Sequence, residues 1–194
     1  RQRILGIRNT DQYQMIFVDS PGLVKSQTGI NDFLKVEAQT VLSESDLLVA
    51  VLNLDADRVE DLLKVADRCQ QEKKPWLIVM TKSDHAQVQR QAVLREKVKK
   101  YEVPVVAVSA LHHAQGTREF VLPLIEEKLP WAEGPFYDPE FYTNQTMREM
   151  VGEIIREKSF ECLHQEIPYG LAVRVVQFKE NEGRFLKIMA DIIV

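Results

Sequence analysis

The sequence predicts an α/β chain: a doubly wound, mostly parallel sheet followed by a smaller, partial α+β module of one helix and two strands. Three observations carry this. Short apolar runs at residues 47–52, 76–80 and 105–108 read as strands covered on both faces. Helical patterns alternate with them, as in a parallel sheet wound on two sides. Residues 130–139 then break the pattern with three prolines and a glycine, and helix, strand, strand follow. The predicted boundaries are a first domain at 1–130, a linker at 131–143 and a second, partial domain at 144–194.

Each element has its own reason. Residues 3–8 and 13–19 are short strands joined by the polar turn Asn9-Thr10-Asp11, read as an antiparallel hairpin supplying one edge of the sheet. Residues 23–28 are a loop. Residues 31–42 are helical, with Phe33, Leu34, Ala38, Val41 and Leu42 on one side. Residues 58–72 give the clearest helix, because Val59, Leu62, Leu63, Ala66 and Cys69 repeat at helical spacing. Residues 88–100 form a basic amphipathic helix, read as a solvated outer face. Residues 120–129 are a helix with Pro123 near its start, where proline is tolerated. Beyond the linker, Thr146-Met147-Arg148-Glu149 is a capping box. Met147, Met150, Val151, Ile154 and Ile155 follow as an apolar stripe, read as core, and Pro168 ends the helical region. Residues 171–179 and 185–194 alternate about the turn Asn181-Glu182-Gly183. The last strand puts Leu186, Ile188, Ala190, Ile192 and Val194 on one face, with Lys187 and Asp191 opposite.

Bulk properties narrow the classes. With 194 residues, 45% of them apolar, the chain can build a packed core. No apolar run approaches the ~20 residues of a membrane span, and the first residues do not read as a signal peptide. Cys69 and Cys162 lack metal-ligand spacing and read as reduced thiols of a cytosolic protein. The net charge is −4 with no basic tract, and residues 132–194 hold seven basic against eleven acidic side chains. Nucleic-acid binding is therefore not advertised by charge.

Chemistry-bearing residues follow the buried strands. Ile16-Phe17-Val18 runs into Asp19-Ser20-Pro21-Gly22-Leu23. A carboxylate at a strand's carboxyl edge can hold a metal through water, and a glycine lets a backbone N–H approach a phosphate. Plain turn chemistry is the alternative. Thr81-Lys82-Ser83-Asp84 follows the next such strand. Its carboxylate can accept two parallel hydrogen bonds from a guanine's ring N–H and exocyclic amine, a pair adenine does not offer. The alternative makes Asp84 a helix N-cap. Ser109-Ala110-Leu111 follows the third strand, with small residues that let backbone amides reach a base carbonyl. His112 and His113, just beyond, read as surface-loop residues.

In this order, each directly after a buried strand, the three stretches resemble the GTPase series Asp-x-x-Gly, Asn-Lys-x-Asp and Ser-Ala. The second module narrows the likeness. Residues 134–143 (Gly-Pro-Phe-Tyr-Asp-Pro-Glu-Phe-Tyr-Thr) are similar to the linker of the Era family, bacterial GTPases of small-ribosomal-subunit assembly. Residues 153–158, 166–169 and 178–182 are similar to the opening half of that family's KH domain. The resemblance covers essentially the whole chain. It implies a P-loop GTPase-like fold, N-terminally truncated, for 1–130 and a partial KH-like RNA-binding domain for 144–194. It implies GTP or GDP with Mg²⁺ as cofactors. Asp19 would hold Mg²⁺ through water, Ser20, Pro21, Gly22 and Leu23 would line the phosphates, and the Gly22 amide would sense the γ-phosphate. The segment after Gly22 would be the nucleotide switch. Thr81, Lys82, Ser83 and Asp84 would bind guanine, with Ser109, Ala110 and Leu111 closing over it. All three loops are expected on one rim of a single sheet. The implied partners are small-subunit ribosomal RNA near its 3′ end and the 30S subunit. The implied protein is a cytoplasmic monomer with peripheral association at the inner face of the cell membrane.

The chain also departs from the family pattern. Leu23 stands where Ras-like enzymes carry a water-positioning glutamine, so no catalytic residue is assigned. Thr81 replaces the usual asparagine and loses its bracing amide. Gly-x-x-x-x-Gly-Lys-Ser/Thr occurs nowhere in the chain. The resemblance places that loop upstream of residue 1, and the RNA-clamping Gly-x-x-Gly loop after Val194. The expectation is that these residues alone neither hydrolyse GTP nor hold it tightly, and bind RNA weakly. Two other readings remain: a non-catalytic ribosome-binding protein that has lost the P-loop, and a Der-like two-domain GTPase.

Overall fold

Residues 76–81 read Trp-Leu-Ile-Val-Met-Thr, with no charge and two β-branched residues at the centre, and they form the middle strand of the parallel sheet. The computed structural model describes residues 3–19, 30–55, 58–85, 87–162, 171–181 and 185–193. Two compact units result, Ser20–Gly134 and Arg1–Asp19 with Pro135–Val194.

In the first of these, β3 (Leu48–Asn53), β4 (Trp76–Thr81) and β5 (Val105–Ala107) are parallel, with β4 central. The register runs from Leu48 opposite Trp76 to Asn53 opposite Thr81, and from Ile78 opposite Val105 to Met80 opposite Ala107. Leu77 and Ile78 are neighbours on opposite faces, and both are fully buried. Both faces of β4 are therefore covered, as its unbroken apolar run requires. Helices α1 (Ile30–Glu44), α2 (Val59–Gln71), α3 (Val88–Val98) and α4 (Ala114–Glu126) belong to this unit. The stripe of α2 is buried as predicted at Leu62, Ala66 and Cys69, with Val59 and Leu63 packed beside them. Burial above all, with the nearby Glu72 charge, pushes the Cys69 thiol up to about 11, so it stays protonated and inert.

Two polar devices lock this core. Tyr101 stacks edge-on against Trp76 with ring centroids 5.4 Å apart, and its hydroxyl donates to Asp67 Oδ1 at 2.6 Å. Lys74 Nζ donates to the carbonyls of Leu42, Ser43 and Ser45 at 3.0, 2.5 and 2.8 Å, satisfying the end of α1.

Helix α4 begins at Ala114, earlier than the apolar pattern indicates, and Pro123 lies in its interior. Its start is made by polar contacts. The Thr117 N–H and hydroxyl both donate to the His113 carbonyl, at 2.9 and 3.0 Å.

In the other unit, β1 (Leu5–Asn9) and β2 (Gln14–Val18) form the predicted hairpin, with Leu5 opposite Val18 and Asn9 opposite Gln14. Among the described residues this hairpin is a two-stranded sheet of its own, where the sequence suggested an edge of the parallel sheet. The proline-rich stretch lies along it. Ile7 N–H donates to Tyr142 O at 2.8 Å, and Leu5 N–H to Asn144 Oδ1 at 2.9 Å. Gln14 accepts from the Phe136 and Tyr137 amides at 2.9 Å each and donates to Tyr137 O at 2.9 Å. Asn9 donates to Pro139 O and Phe141 O at 2.8 and 3.2 Å.

The capping box forms: Thr146 N–H donates to Glu149 Oε2 at 2.7 Å, and Glu149 N–H to Thr146 Oγ1 at 3.2 Å. It opens α5 (Met147–Cys162), which packs on β6 (Ala172–Asn181), paired antiparallel with β7 (Phe185–Ile193). The stripe on α5 is not core. None of its residues is fully buried; Met150, Val151 and Ile155 are half-buried, and Met147 and Ile154 are exposed. The single apolar face expected of β7 is corrected too. Leu186, Ile188 and Ile192 are exposed, as are Met189 and Ile193 on the opposite face. Pro168, Val194 and the turn residues Glu182 and Gly183 lie outside the described residues. No described helix is long and apolar enough to cross a membrane.

Candidate functional site

The carboxyl ends of β3, β4 and β5 bring three loops to one rim of the parallel sheet. Parallel pairing places equivalent strand ends side by side, and hydrogen bonds continue the pairing into the loops. Leu54 N–H donates to Thr81 O at 3.1 Å, Val108 N–H to Met80 O at 2.8 Å, and Ser83 N–H to Val108 O at 3.2 Å. Lys82 sits between at φ 57°, a left-handed conformation uncommon outside glycine. That residue turns the chain off the strand, and His85 N–H closes the turn on Lys82 O at 3.1 Å. From α3, Gln91 Nε2 donates to Ser83 O at 2.7 Å and holds the loop from outside.

Asp84 and Ser109 meet. Ser109 is buried, and its hydroxyl bonds to the Asp84 carboxylate. This bond, foremost, holds the Asp84 carboxyl below its ordinary value, helped by the loop's own backbone N–H and by His85 and His112. The group is therefore an acceptor at neutral pH. Only 17% of its side chain is exposed. The competing reading of Asp84 as an N-cap is excluded, since α3 starts at Val88 with Gln87 at the cap position. Ser109 also accepts from the His112 amide at 3.2 Å, and its carbonyl accepts from the His113 amide at 3.0 Å. One buried serine thus fixes both loops. Thr81 is half-buried, while Ala110 and Leu111 are exposed at the rim. The site combines a fixed ionised carboxylate with an exposed short loop, which suits a planar base offering two N–H donors.

Asp19 follows β2 as an exposed carboxylate, its own N–H donating to Ile4 O at 3.1 Å. The expectation of three predicted loops on one sheet is corrected: among the described residues β2 pairs only with β1, so the parallel sheet carries the Asp84 and Ser109 loops and not Asp19. Ser20, Pro21, Gly22 and Leu23 lie outside the described residues. Two rim residues, Asp55 and His85, escaped the sequence reading. Lys82 Nζ lies 3.9 Å from Asp55 Oδ2, at the end of β3. His85 Nε2 and His112 Nε2 lie 3.4 and 3.5 Å from Asp84 Oδ2. The signal for Asp55 was available, since Asn53-Leu54-Asp55 follows a buried run as Asp84 does. His112 was noticed and read as plain surface.

A parallel sheet with these strand ends has the architecture expected of a GTPase-type G domain, and a helix–strand–strand module follows it in the chain. Residues 1–82 match the family described as "50S ribosome-binding GTPase". GTPase Era of Thermosipho melanesiensis is 34% identical over 199 residues, covering 100% of this chain and 65% of the relative. GTPase Era of Thermoanaerobacter sp. (strain X514) is 31% identical over 189 residues, covering 95% of this chain and 61% of the relative. Among solved structures, a variant of Aquifex aeolicus Era bound to GDP·AlF4⁻ superimposes with a TM-score of 0.79 at 24% identity, over 99% of this chain and 66% of that one. Era in complex with MgGDPNP and nucleotides 1506–1542 of 16S ribosomal RNA gives the same TM-score, identity and coverage. These two establish the fold. Along its whole length the chain is similar to GTPases of the Era family. It spans somewhat less than two thirds of the length of those relatives.

Proposed function

We propose that this chain is the guanine-reading and second-module portion of a protein that binds GTP with Mg²⁺, hydrolyses it, binds small-subunit ribosomal RNA and assists 30S subunit assembly. The supporting observation is the Asp84–Ser109 pair, an ionised carboxylate fixed at the carboxyl edge of the sheet and free of helix capping. In this reading Thr81, Lys82, Ser83 and Asp84 hold the base, and Ser109, Ala110 and Leu111 cover it. Asp19 holds Mg²⁺ through water, beside Ser20 to Leu23. Thr81 lacks the bracing amide of the usual asparagine, and the hydrogen bond from Gln91 to Ser83 supplies bracing from a different side. The functional division in this reading is 1–130, 131–143 and 144–194, and it cuts across the compact units at residues 1–19, which group with Pro135–Val194. The likeness to Era bound to 16S ribosomal RNA supports an RNA-binding role for the last part.

Base selectivity tests this. GDP at millimolar concentration should shift the backbone amide NMR signals of Asp84, Ala110 and Leu111, while ADP should not. Asp84→Asn replaces one acceptor with a donor, so preference should move from GDP to xanthosine diphosphate, whose ring carbonyl accepts that N–H. Equal shifts with GDP and ADP, or none with either, would overturn the reading.

A further inference from the structure

Two histidines flank the carboxylate at the rim, and guanine recognition uses neither. His85 comes from the turn after β4 and His112 from the loop after β5, so the fold brings them together from distant positions. One ligand atom from each of Asp84, His85 and His112 lies within 4.8 Å of the others. Both imidazole Nε2 atoms approach the same oxygen, Asp84 Oδ2, at 3.4 and 3.5 Å. These separations exceed the 2.7–3.2 Å of ordinary N–H···O hydrogen bonds, so the groups converge without satisfying one another. They match a different geometry. With metal–ligand bonds of about 2.0–2.1 Å, adjacent ligands of a tetrahedral ion stand about 3.4 Å apart.

We infer that Asp84, His85 and His112 form a site for a divalent transition ion of the zinc type, and that its occupation excludes a guanine base from the same carboxylate. Two imidazoles and one carboxylate suit zinc, with water completing the tetrahedron; Mg²⁺, which takes oxygen ligands, is disfavoured. The outer support is present. Ser109 hydrogen-bonds the Asp84 carboxylate, and its hydroxyl accepts from the His112 backbone amide at 3.2 Å, so one buried hydroxyl orients one ligand and anchors the backbone that carries another. The imidazoles are about 60% exposed, which leaves them room to swing the short distance that closes the third edge. The metal site stands on geometry alone; the exclusion rests on the guanine reading of Asp84.

The test is a calorimetric titration of the full chain with zinc chloride, followed by GDP titrations with and without zinc. One zinc should bind per chain. His85→Ala and His112→Ala should each weaken it by roughly tenfold or more, and the double variant should abolish it. Cys162→Ser, which removes the exposed thiol, should leave the stoichiometry unchanged, and excess Mg²⁺ should not displace the zinc. Failure to bind zinc, or equal binding by the double variant, overturns the site. Zinc should weaken GDP binding in the wild type and not in the double variant; GDP binding indifferent to zinc overturns the exclusion and leaves the metal site standing. If GDP binds under neither condition, the nucleotide reading fails, and the zinc titration still decides the site.

Discussion

Isoleucine has two fates in this molecule. Ile78, in β4, is 0% exposed, whereas Ile192, in β7, is 50% exposed. Both lie in strands rich in apolar residues, so sequence character does not separate them. The difference lies in the layers. In the parallel-sheet unit both faces of β4 are covered, and Leu77, Ile78 and Met80 lose all contact with solvent. In the other unit α5 packs on β6, where Val175 is buried, as is Leu171 just before the strand, while β7 keeps exposed apolar side chains on both faces. An alternating apolar strand becomes core only where a second layer exists to receive it.

That contrast can be pressed by mutation. Trp76 and Trp131 both belong to the parallel-sheet unit, so tryptophan fluorescence follows its unfolding. Ile78→Ala should have the largest effect, lowering the stability of that unit by about 2–5 kcal/mol in urea titrations. Tyr101→Phe should come next, at roughly 1–2 kcal/mol, because it removes the hydroxyl's bond to the Asp67 carboxylate. The tyrosine carries a pH signature as well. Burial, then the hydrogen bond to Asp67, raises its pKa. Its contribution is complete below the ordinary tyrosine range and is lost as pH climbs from there toward the raised value. Tyr101→Phe should therefore flatten that part of the alkaline stability profile.

In the other unit the expected effects shrink. Thr146→Ala should cost about 1 kcal/mol and fray the start of α5, seen as lost helical circular dichroism. The Thr146 amide and then its hydroxyl hold the Glu149 carboxyl below its ordinary value. The cap is therefore intact above the glutamate range and weakens as pH falls through the lowered value. Ile192→Ala should be the mildest, within about 0.5 kcal/mol. A loss comparable to that of Ile78→Ala would mean that β7 is covered in solution.

Legibility in the sequence followed the same division. β4 was readable because an unbroken apolar run has few alternatives, and α5 because a capping box is local chemistry. The start of α4 was not, since Ala114 to Glu119 has no apolar rhythm and is held by Thr117 and His113. Residues 130–139 were read correctly as unable to build a ladder with their own backbone. What they do instead depends on side-chain amides of Asn9 and Gln14, more than 120 positions away. At the rim, Asp84 and Ser109 could be picked out because each directly follows a strand. Their hydrogen bond, and the approach of His85 and His112 to one carboxylate oxygen, are properties of folded loops that no spacing encodes.

The Gln14 contacts also set a timetable. Gln14 and Tyr137 are 123 positions apart, and a ribosome adding 5–20 residues per second needs roughly 6–25 s to make the intervening chain. For that interval the outer edge of β1 has emerged without the segment that pairs with it. Closing so long a loop is an entropic step that local pairing does not face. Until then the Ile7 amide on that edge has only water to bond, and the hairpin must hold its register without its later partner.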